Sequence, residues 1–182
     1  MTRIPSHTIQ DAPAASRPLL DGLVQVSPTG RLLNLHAQLA HSPAVLTAYA
    51  SIRQATVAYG TLDPRIRAAL MLTTAGAAGH SAYAEAITSS LALRAGWSQA
   101  EIAALRDGRS LGDDKTDALT AVIREAASHR GVVSDATWQR AVACGWDSTQ
   151  LAEAFAYLGL TLFTAYFLNY AQTPMDLPGA AA

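Results

Sequence analysis

Signals that begin and end α-helices recur along almost the whole chain, whereas the alternation of apolar and polar residues typical of β-strands is almost absent. Ser42–Pro43 and Asp63–Pro64 each combine an N-capping residue with a proline at the first helical position, where proline costs little. Ser98 with Glu101 three residues later has the spacing of a capping box. Gly96, just before it, is typical of a left-handed helix C-terminus. The pattern predicts an all-α fold of about seven to eight helices.

The same signals divide the chain into three parts. Residues 1–28 are expected to form a flexible or partner-embracing arm, because their first half is rich in Pro, Ala and Ser. Residues 29–177 are expected to form one helical domain, with a first helix from about Thr29 to His41. Residues 178–182 form a C-terminal tail. The small residues from Thr73 to Gly79 would let a neighbouring helix or a ligand approach the backbone closely, with a helix break near Gly79.

Composition limits the classes of function. Half of the 182 residues are hydrophobic, 15% are charged, and the net charge is −1. Without a basic excess the chain is not expected to bind nucleic acid. The low charge suggests that another subunit covers some apolar surface, which predicts a homo-oligomer (dimer, trimer or hexamer). The single cysteine, Cys144, cannot form an intrachain disulfide, and the chain start lacks the apolar core of a secretory signal, so a cytoplasmic location is expected.

The longest apolar run extends from Ala154 to Ala171. Its length approaches the roughly 20 residues of a membrane span. Gly159, Thr161, Thr164 and Asn169 interrupt it, however. We therefore expect a buried core or interface helix and no membrane partner.

One short pattern occurs twice. Ala95-Gly96-Trp97-Ser98 followed by QAEIA resembles Cys144-Gly145-Trp146-Asp147 followed by STQLA. Each copy reads as a helix end, a Gly cap, a Trp, an N-cap and a new helix, which predicts a pseudo-repeat of helix–turn–helix corners. The alternative is that Gly plus a capping residue is simply a common way to turn a corner.

Several segments together resemble the carboxymuconolactone decarboxylase and alkylhydroperoxidase D (AhpD)-like superfamily. These segments are LAHSPAVLTAYASIRQATVAYGTLDPRIRAALMLTTA, SLALRAGWSQAEIAAL and FTAYFLNYAQTPMDLP, within residues 30 to 177. The resemblance implies an AhpD-like helical domain that binds a small-molecule substrate.

The redox motif of that superfamily is missing. Its peroxidase members carry C-x-x-C-x-x-x-H, and the three motif positions fall at Ser81, Ala84 and Thr88. The family's upstream glutamate falls at about Ala69, and its histidine between the cysteines falls at Tyr83. A low-pKa thiolate and a resolving thiol are needed to reduce a peroxide, and serine and alanine supply neither. The sequence therefore argues against thiol peroxidase activity at this site.

The polar residues left around this helix are the candidate site. If the helix lines the family's pocket, the resemblance points to a catalytic group of His80, Tyr83 and Thr88 and a substrate-binding group of Ser81, Ala84, Glu85 and Asn169. A neutral His80 near the helix start could act as a base. No metal site is expected, because His36, His41 and His129 lack ligand spacing, and no cofactor is expected.

Each candidate also has a structural interpretation. Ser81 is equally well read as a helix N-cap, and Tyr83 as a core aromatic with its hydroxyl bonded. Glu85 suits a first-turn charge or an inter-subunit ion pair, and Asn169 suits a hydrogen bond from the last helix to the following loop. Arg65 and Arg67 could bind an anionic substrate or lie on a solvated helix face.

Three functions remain open at this point. The first is an oligomeric small-molecule enzyme, lyase- or decarboxylase-like, that uses non-thiol acid–base chemistry in an apolar pocket. The second is a non-catalytic ligand-binding or scaffold protein that lost the peroxidase motif. The third is residual antioxidant activity through Cys144, whose structural interpretation is a small buried hydrophobe.

Overall fold

The computed structural model describes residues 2–27, 29–79 and 81–177, and no strand occurs among them. The all-α prediction is confirmed. The described residues form nine helices, where seven to eight were expected: α1 (Arg17–Gln25), α2 (Asn34–Leu39), α3 (Pro43–Tyr59), α4 (Pro64–Ala78), α5 (Ala82–Arg94), α6 (Gln99–Asp107), α7 (Asp114–Ser128), α8 (Asp135–Ala143) and α9 (Ser148–Ala171).

The start of the chain differs most from the prediction. The helix expected from Thr29 to His41 is wrong in extent, because α2 covers only Asn34–Leu39. A helix that was not predicted, α1, lies inside residues 1–28 and buries Leu20 and Leu23, which are three residues apart and so share one face. Its Pro- and Ala-rich flanks hid this short amphipathic stretch.

The first residues of the chain lie against the helical domain. The Arg3 amide donates to the Ala171 carbonyl and the His7 amide to the Ala37 carbonyl, both at 3.0 Å. Ala12 is buried in the same apolar cluster as α1. Whether this segment can also reach a neighbouring subunit stays a prediction, as does the domain division at residue 29. The predicted tail, 178–182, lies outside the described residues.

Two helices organise the rest of the fold. Helix α4 contacts α5, α6, α7 and α9, and α9 also contacts α3, α5 and α7. By length and composition α9 could cross a membrane, and half of its most apolar stretch is buried within the protein. In this structure α9 is a core helix with ten buried residues. The expectation that the chain has no membrane partner stays a prediction.

Most helix ends follow the predicted caps. The Asp63 carboxylate accepts from the amides of Arg65 and Ile66, at 2.8 and 3.0 Å. Ser98 and Glu101 form the predicted capping box. Ser42 precedes α3 as expected, although its side chain makes no capping bond. Local sequence therefore set these boundaries correctly.

The predicted helix break and close approach are both present. Gly79 has a φ of +63° at the end of α4, in the left-handed region that favours glycine. At Gly76, an added Cβ would lie 2.5 Å from the Arg106 carbonyl oxygen. Helix α6 therefore packs directly on the backbone of α4, and only glycine permits this.

The pseudo-repeat is confirmed and is more extensive than the sequence indicated. The Trp97 indole N–H donates to the Arg65 carbonyl at 2.9 Å, and the Trp146 indole N–H donates to the Lys115 carbonyl at 2.7 Å. The first acceptor lies in the first turn of α4, and Trp97 lies between α5 and α6. The second acceptor lies in the first turn of α7, and Trp146 lies between α8 and α9. The basic side chains of the same two residues lie over the rings, at 3.9 Å for Arg65 and 4.8 Å for Lys115. Helices α4–α6 thus repeat the arrangement of α7–α9.

A buried histidine joins α2 to α3. His36 is 5% exposed, and its Nε2 lies 3.2 Å from the Tyr49 hydroxyl oxygen. Burial, with a smaller effect of the Arg53 charge, lowers the pKa of His36 from 6.5 to about 3. The folded protein therefore holds His36 as a neutral imidazole at any pH above about 3.

We predict that Trp97→Phe and Trp146→Phe each lower the free energy of unfolding by about 1–3 kcal/mol, because a part-buried hydrogen bond from the indole N–H is lost, the smaller ring fills less space and the cation–π contact is weakened. Urea unfolding measures the effect. Trp138→Phe is the matched control, since Trp138 is 39% exposed, and it should change stability by less than about 0.5 kcal/mol. Equal losses in all three variants would contradict the repeat as a stabilising device.

We predict that His36 makes the protein less stable in acid. The unfolded chain binds a proton at His36 below pH 6.5 and the folded chain does not until about pH 3, so stability is lost as the pH falls through this interval. From pH 6.5 to pH 5 the loss is about 2 kcal/mol at about 1.4 kcal/mol per unit. His36→Gln should remove this part of the pH dependence in urea unfolding at pH 7 and 5. The exposed His129→Gln control should retain it, and an unchanged pH dependence in His36→Gln would refute the assignment.

Candidate functional site

Of the three positions predicted to correspond to a redox motif, Ser81 and Thr88 carry hydroxyl groups that bond to the backbone of α5, and Ala84 carries only a methyl group. The Ser81 hydroxyl accepts from the Ala84 amide at 3.2 Å as the N-cap of α5. The Thr88 hydroxyl donates to the Ala84 carbonyl at 2.8 Å. All three residues are buried. The N-cap interpretation of Ser81 is confirmed, and the Ser81 hydroxyl oxygen and the Thr88 hydroxyl proton bond to the helix.

Tyr83 forms a hydrogen bond with the C-terminal segment of the chain. Its hydroxyl donates to one carboxylate oxygen of Asp176. The other oxygen of Asp176 accepts from the backbone N–H of Asn34 at 2.8 Å. Burial first, and then the bond to Asp176, raise the pKa of Tyr83 well above its ordinary value. The hydroxyl is therefore a protonated donor that fastens the chain around residue 176 to α5 and to the start of α2.

The other predicted site residues do not join this group. Glu85 is half-buried on α5, and Asn169 is exposed near the end of α9 instead of buried. His80 lies outside the described residues. The structure thus brings Ser81, Tyr83, Ala84 and Thr88 to the buried face of one helix end. Their catalytic and substrate-binding roles stay predictions.

A cavity of about 390 Å³ lies between α3, α4, α5 and α9. We call it the arginine cavity, because three of its lining residues are Arg53, Arg67 and Arg94 and none is acidic. Apolar side chains and two hydroxyl groups form the rest of its wall: Val26, Thr56, Val57, Pro64, Ala68, Met71, Leu91, Ala95, Tyr157 and Leu160. Positive charge around an apolar cavity is suited to a small anion with an apolar body.

The buried Nε of Arg67, on the wall of the arginine cavity, has no hydrogen-bond partner among the described residues. The buried Tyr157 hydroxyl lies beside it. Burial raises the pKa of Tyr157, whereas side-chain hydrogen bonding with Thr56 and Arg67 and the charge of Arg67 act against this rise. Both atoms are therefore hydrogen-bond donors at neutral pH. A buried donor without an acceptor costs about 1–3 kcal/mol, and an anion would remove that cost.

The surroundings hold these groups in place. Arg53 donates to the Tyr49 hydroxyl at 3.3 Å, the same hydroxyl that contacts His36. Glu153, one turn before Tyr157 on α9, accepts from the Thr61 amide at 2.6 Å. The Glu153 carboxylate is thus bound to the loop between α3 and α4, and it forms no ion pair with Arg53, Arg67 or Arg94.

Gly60 makes this contact of Glu153 possible. A Cβ at Gly60 would lie 2.6 Å from Glu153 Oε1 and 2.2 Å from the Thr56 carbonyl oxygen. Only a glycine lets the carboxylate approach the loop so closely. The end of α3 therefore helps to keep Glu153 out of the arginine cavity.

Part of this site was predicted from the sequence. Arg65 and Arg67 were considered together as possible ligands of an anion, and in the structure their side chains lie in different places. Arg65 pairs with Glu101 at 2.8 Å and covers Trp97, whereas Arg67 lines the cavity. Arg53, Arg94 and Tyr157 were missed, because no local spacing signals that residues from three further helices meet.

A second cavity of about 440 Å³ adjoins the first between α1 and α3. Both are lined by Val26, Arg53 and Val57. Within residues 2–27, 29–79 and 81–177, no group of three or more His, Cys, Asp or Glu side chains is placed to hold a metal ion.

Comparison with known proteins identifies the fold. No family model and no curated protein matches the sequence. The debrominase Bmp8 has a similar structure, both without ligand and as a cysteine-to-alanine variant in complex with 2,3,4-tribromopyrrole. Each has a TM-score of 0.82 and 15% identity, and each match covers 97% of this chain and 92–93% of the other.

The alkylhydroperoxidase AhpD core of an uncharacterized peroxidase-related protein from Ralstonia eutropha JMP134 is similar to the same degree. Its TM-score is 0.82, with 14% identity over 96% of this chain and 92% of that one. At such identities the likeness concerns the fold, and the resemblance drawn from the sequence is confirmed at that level. This chain therefore has the AhpD-like helical fold.

Proposed function

We propose that the protein binds a small organic anion with an apolar body in the arginine cavity. The observation that carries the proposal is the unpartnered buried Nε of Arg67 beside the buried Tyr157 hydroxyl, on a wall with two further guanidinium groups and no carboxylate. A carboxylate accepts several hydrogen bonds at once, and its bonds to guanidinium are among the stronger ones in proteins.

We propose further that the protein acts on this anion by acid–base chemistry without thiols. Tyr157 is the group that favours this role, because its buried hydroxyl keeps its proton and lies beside Arg67. The Bmp8 variant is described in complex with a small ring compound, 2,3,4-tribromopyrrole. A small-molecule substrate is thus compatible with this fold. The non-catalytic alternative shares the binding site and lacks turnover.

We predict that benzoate binds to the protein and that uncharged benzamide binds at least tenfold more weakly. Arg67→Gln should weaken benzoate binding about 10- to 100-fold, because a hydrogen bond between charged groups is lost. Tyr157→Phe should weaken it about 2- to 10-fold through loss of a neutral donor. Isothermal titration calorimetry measures each constant.

Tyr83→Phe is the matched control for Tyr157→Phe. It removes a buried hydroxyl of the same kind from α5, where the notional redox site of the family lies. If the arginine cavity is the site, benzoate affinity is unchanged in Tyr83→Phe. A loss confined to Tyr83→Phe would instead place binding at the α5 group of Ser81, Tyr83, Ala84 and Thr88, and equal binding of benzoate and benzamide would refute the anion site.

We also propose that the protein forms a homo-oligomer in the cytoplasm. Three exposed aromatic residues of α9, Phe155, Tyr166 and Tyr170, are 61–69% exposed and lie on one side of the helix, since they are 11 and 4 residues apart. Exposed apolar stripes of this kind are typical of interaction surfaces. The cytoplasmic location rests on the sequence alone, and cell fractionation tests it.

We predict that the wild-type protein sediments as an oligomer and that Tyr166→Glu weakens the assembly at least tenfold, because a charge would be placed in an apolar interface. Sedimentation velocity across a concentration series measures this. Val132→Glu, at a residue 68% exposed on another part of the surface, should leave the assembly intact. A wild-type protein that is monomeric at every concentration would contradict the proposal.

A further inference from the structure

The arginine cavity continues into a second, apolar cavity. We call this one the tail groove. Its wall is formed by two helices, with Pro18, Leu19, Gly22, Leu23 and Val26 on the α1 side and Ala50, Arg53, Gln54, Val57 and Ala58 on α3. Val26, Arg53 and Val57 line both spaces, so the two cavities meet at these residues.

Polar and apolar groups are divided between the two spaces. Arg67, Arg94 and Tyr157 lie only on the arginine cavity, whereas the tail groove has Gln54 and the shared Arg53 as its polar residues. The remaining wall of the tail groove is aliphatic, proline or glycine. The combined space therefore has one cationic end and one apolar end.

The junction between the two spaces exposes aliphatic side chains. Val57 is 75% exposed and Val26 is 51% exposed. An alkyl chain that leaves the arginine cavity past these two residues would cover them, and each buried methylene would strengthen binding about fourfold.

We propose that the ligand is an amphipathic carboxylate, with its head in the arginine cavity and an alkyl chain in the tail groove. The proposal rests on the anion site put forward above and adds the class of the ligand. The separation of the cationic end from the apolar end supports this class of ligand. A second copy of the protein would have to place an acidic side chain in the arginine cavity and an apolar side chain in the tail groove at the same time.

The length of the groove limits the length of the chain. Pro18, in the first turn of α1, and Val26, at its C-cap, are eight residues apart. This separation corresponds to about 12 Å along a helix. An extended alkyl chain advances roughly 1.3 Å per carbon. The groove thus suits a saturated chain of roughly eight to ten carbons.

Gly22 allows a direct test. A Cβ at this position meets no atom within 4 Å. A larger side chain can therefore start from this position, and Gly22→Phe is expected to occupy part of the groove that Gly22 lines. Gly22→Ala is the control, because it also replaces glycine within α1, with a larger gain in helix propensity than phenylalanine brings, and leaves the groove open.

The experiment measures the affinity of wild type and both variants for butanoate, hexanoate, octanoate and decanoate, below the concentrations at which the acids aggregate. In the wild type and in Gly22→Ala, affinity should rise about fourfold per added methylene up to octanoate. In Gly22→Phe, octanoate and decanoate should bind at least tenfold more weakly than in wild type, with butanoate unchanged.

The outcomes separate the two proposals. If benzoate and butanoate bind but affinity does not rise with chain length, the tail groove is refuted and the anion site stands. If no carboxylate binds, the anion site itself has failed. If Gly22→Phe disperses an oligomer and leaves the chain-length dependence intact, the groove is a contact between copies of this chain, and the proposal is overturned.

Discussion

The structure depends on the close packing of α4 against four other helices. Ala69, Thr73 and Thr74 on this helix are fully buried, and Gly76 lies against the backbone of α6. Side chains this small let α5, α6, α7 and α9 approach one helix from all sides. Arg67 is a long charged side chain in this crowded helix, and it extends to the arginine cavity. The close packing around α4 that forms the core therefore also holds the backbone that carries Arg67 at the arginine cavity.

The start of α5, where the sequence resemblance predicted the positions of a redox motif, has a structural role. Ser81, Ala84 and Thr88 are buried, and the hydroxyl groups of Ser81 and Thr88 bond to the backbone of α5. Tyr83 donates to Asp176. This end of α5 connects neighbouring parts of the fold. The other end of the helix, with Leu91, Arg94 and Ala95, lines the arginine cavity.

Sequence reasoning succeeded where the physics is local. Capping boxes, proline at the first helical position and glycine with positive φ each involve residues within four positions of one another, and Ser98 with Glu101 is such a case. The Trp corners could be predicted as a repeat for the same reason. Their hydrogen bonds could not, because Trp97 and Arg65 are 32 residues apart. Helix α1 was missed because its four apolar residues, Leu19, Leu20, Leu23 and Val24, lie in a stretch of only nine residues that follows a Pro-, Ala- and Ser-rich segment.

The arginine cavity could not be predicted from the sequence. Arg53, Arg67, Arg94 and Tyr157 come from α3, α4, α5 and α9, and nothing in their spacing along the chain indicates that they line one cavity.

Arg67 keeps a buried donor without a partner among the described residues. An apolar side chain at this position would avoid that cost, so a fold under selection for stability alone would not be expected to hold it. Polar groups retained at such a cost are typical of a binding site, where the ligand supplies the missing acceptor. The stability that the arginine cavity costs the folded protein is therefore the physical basis for the proposed binding function, which needs no thiol chemistry.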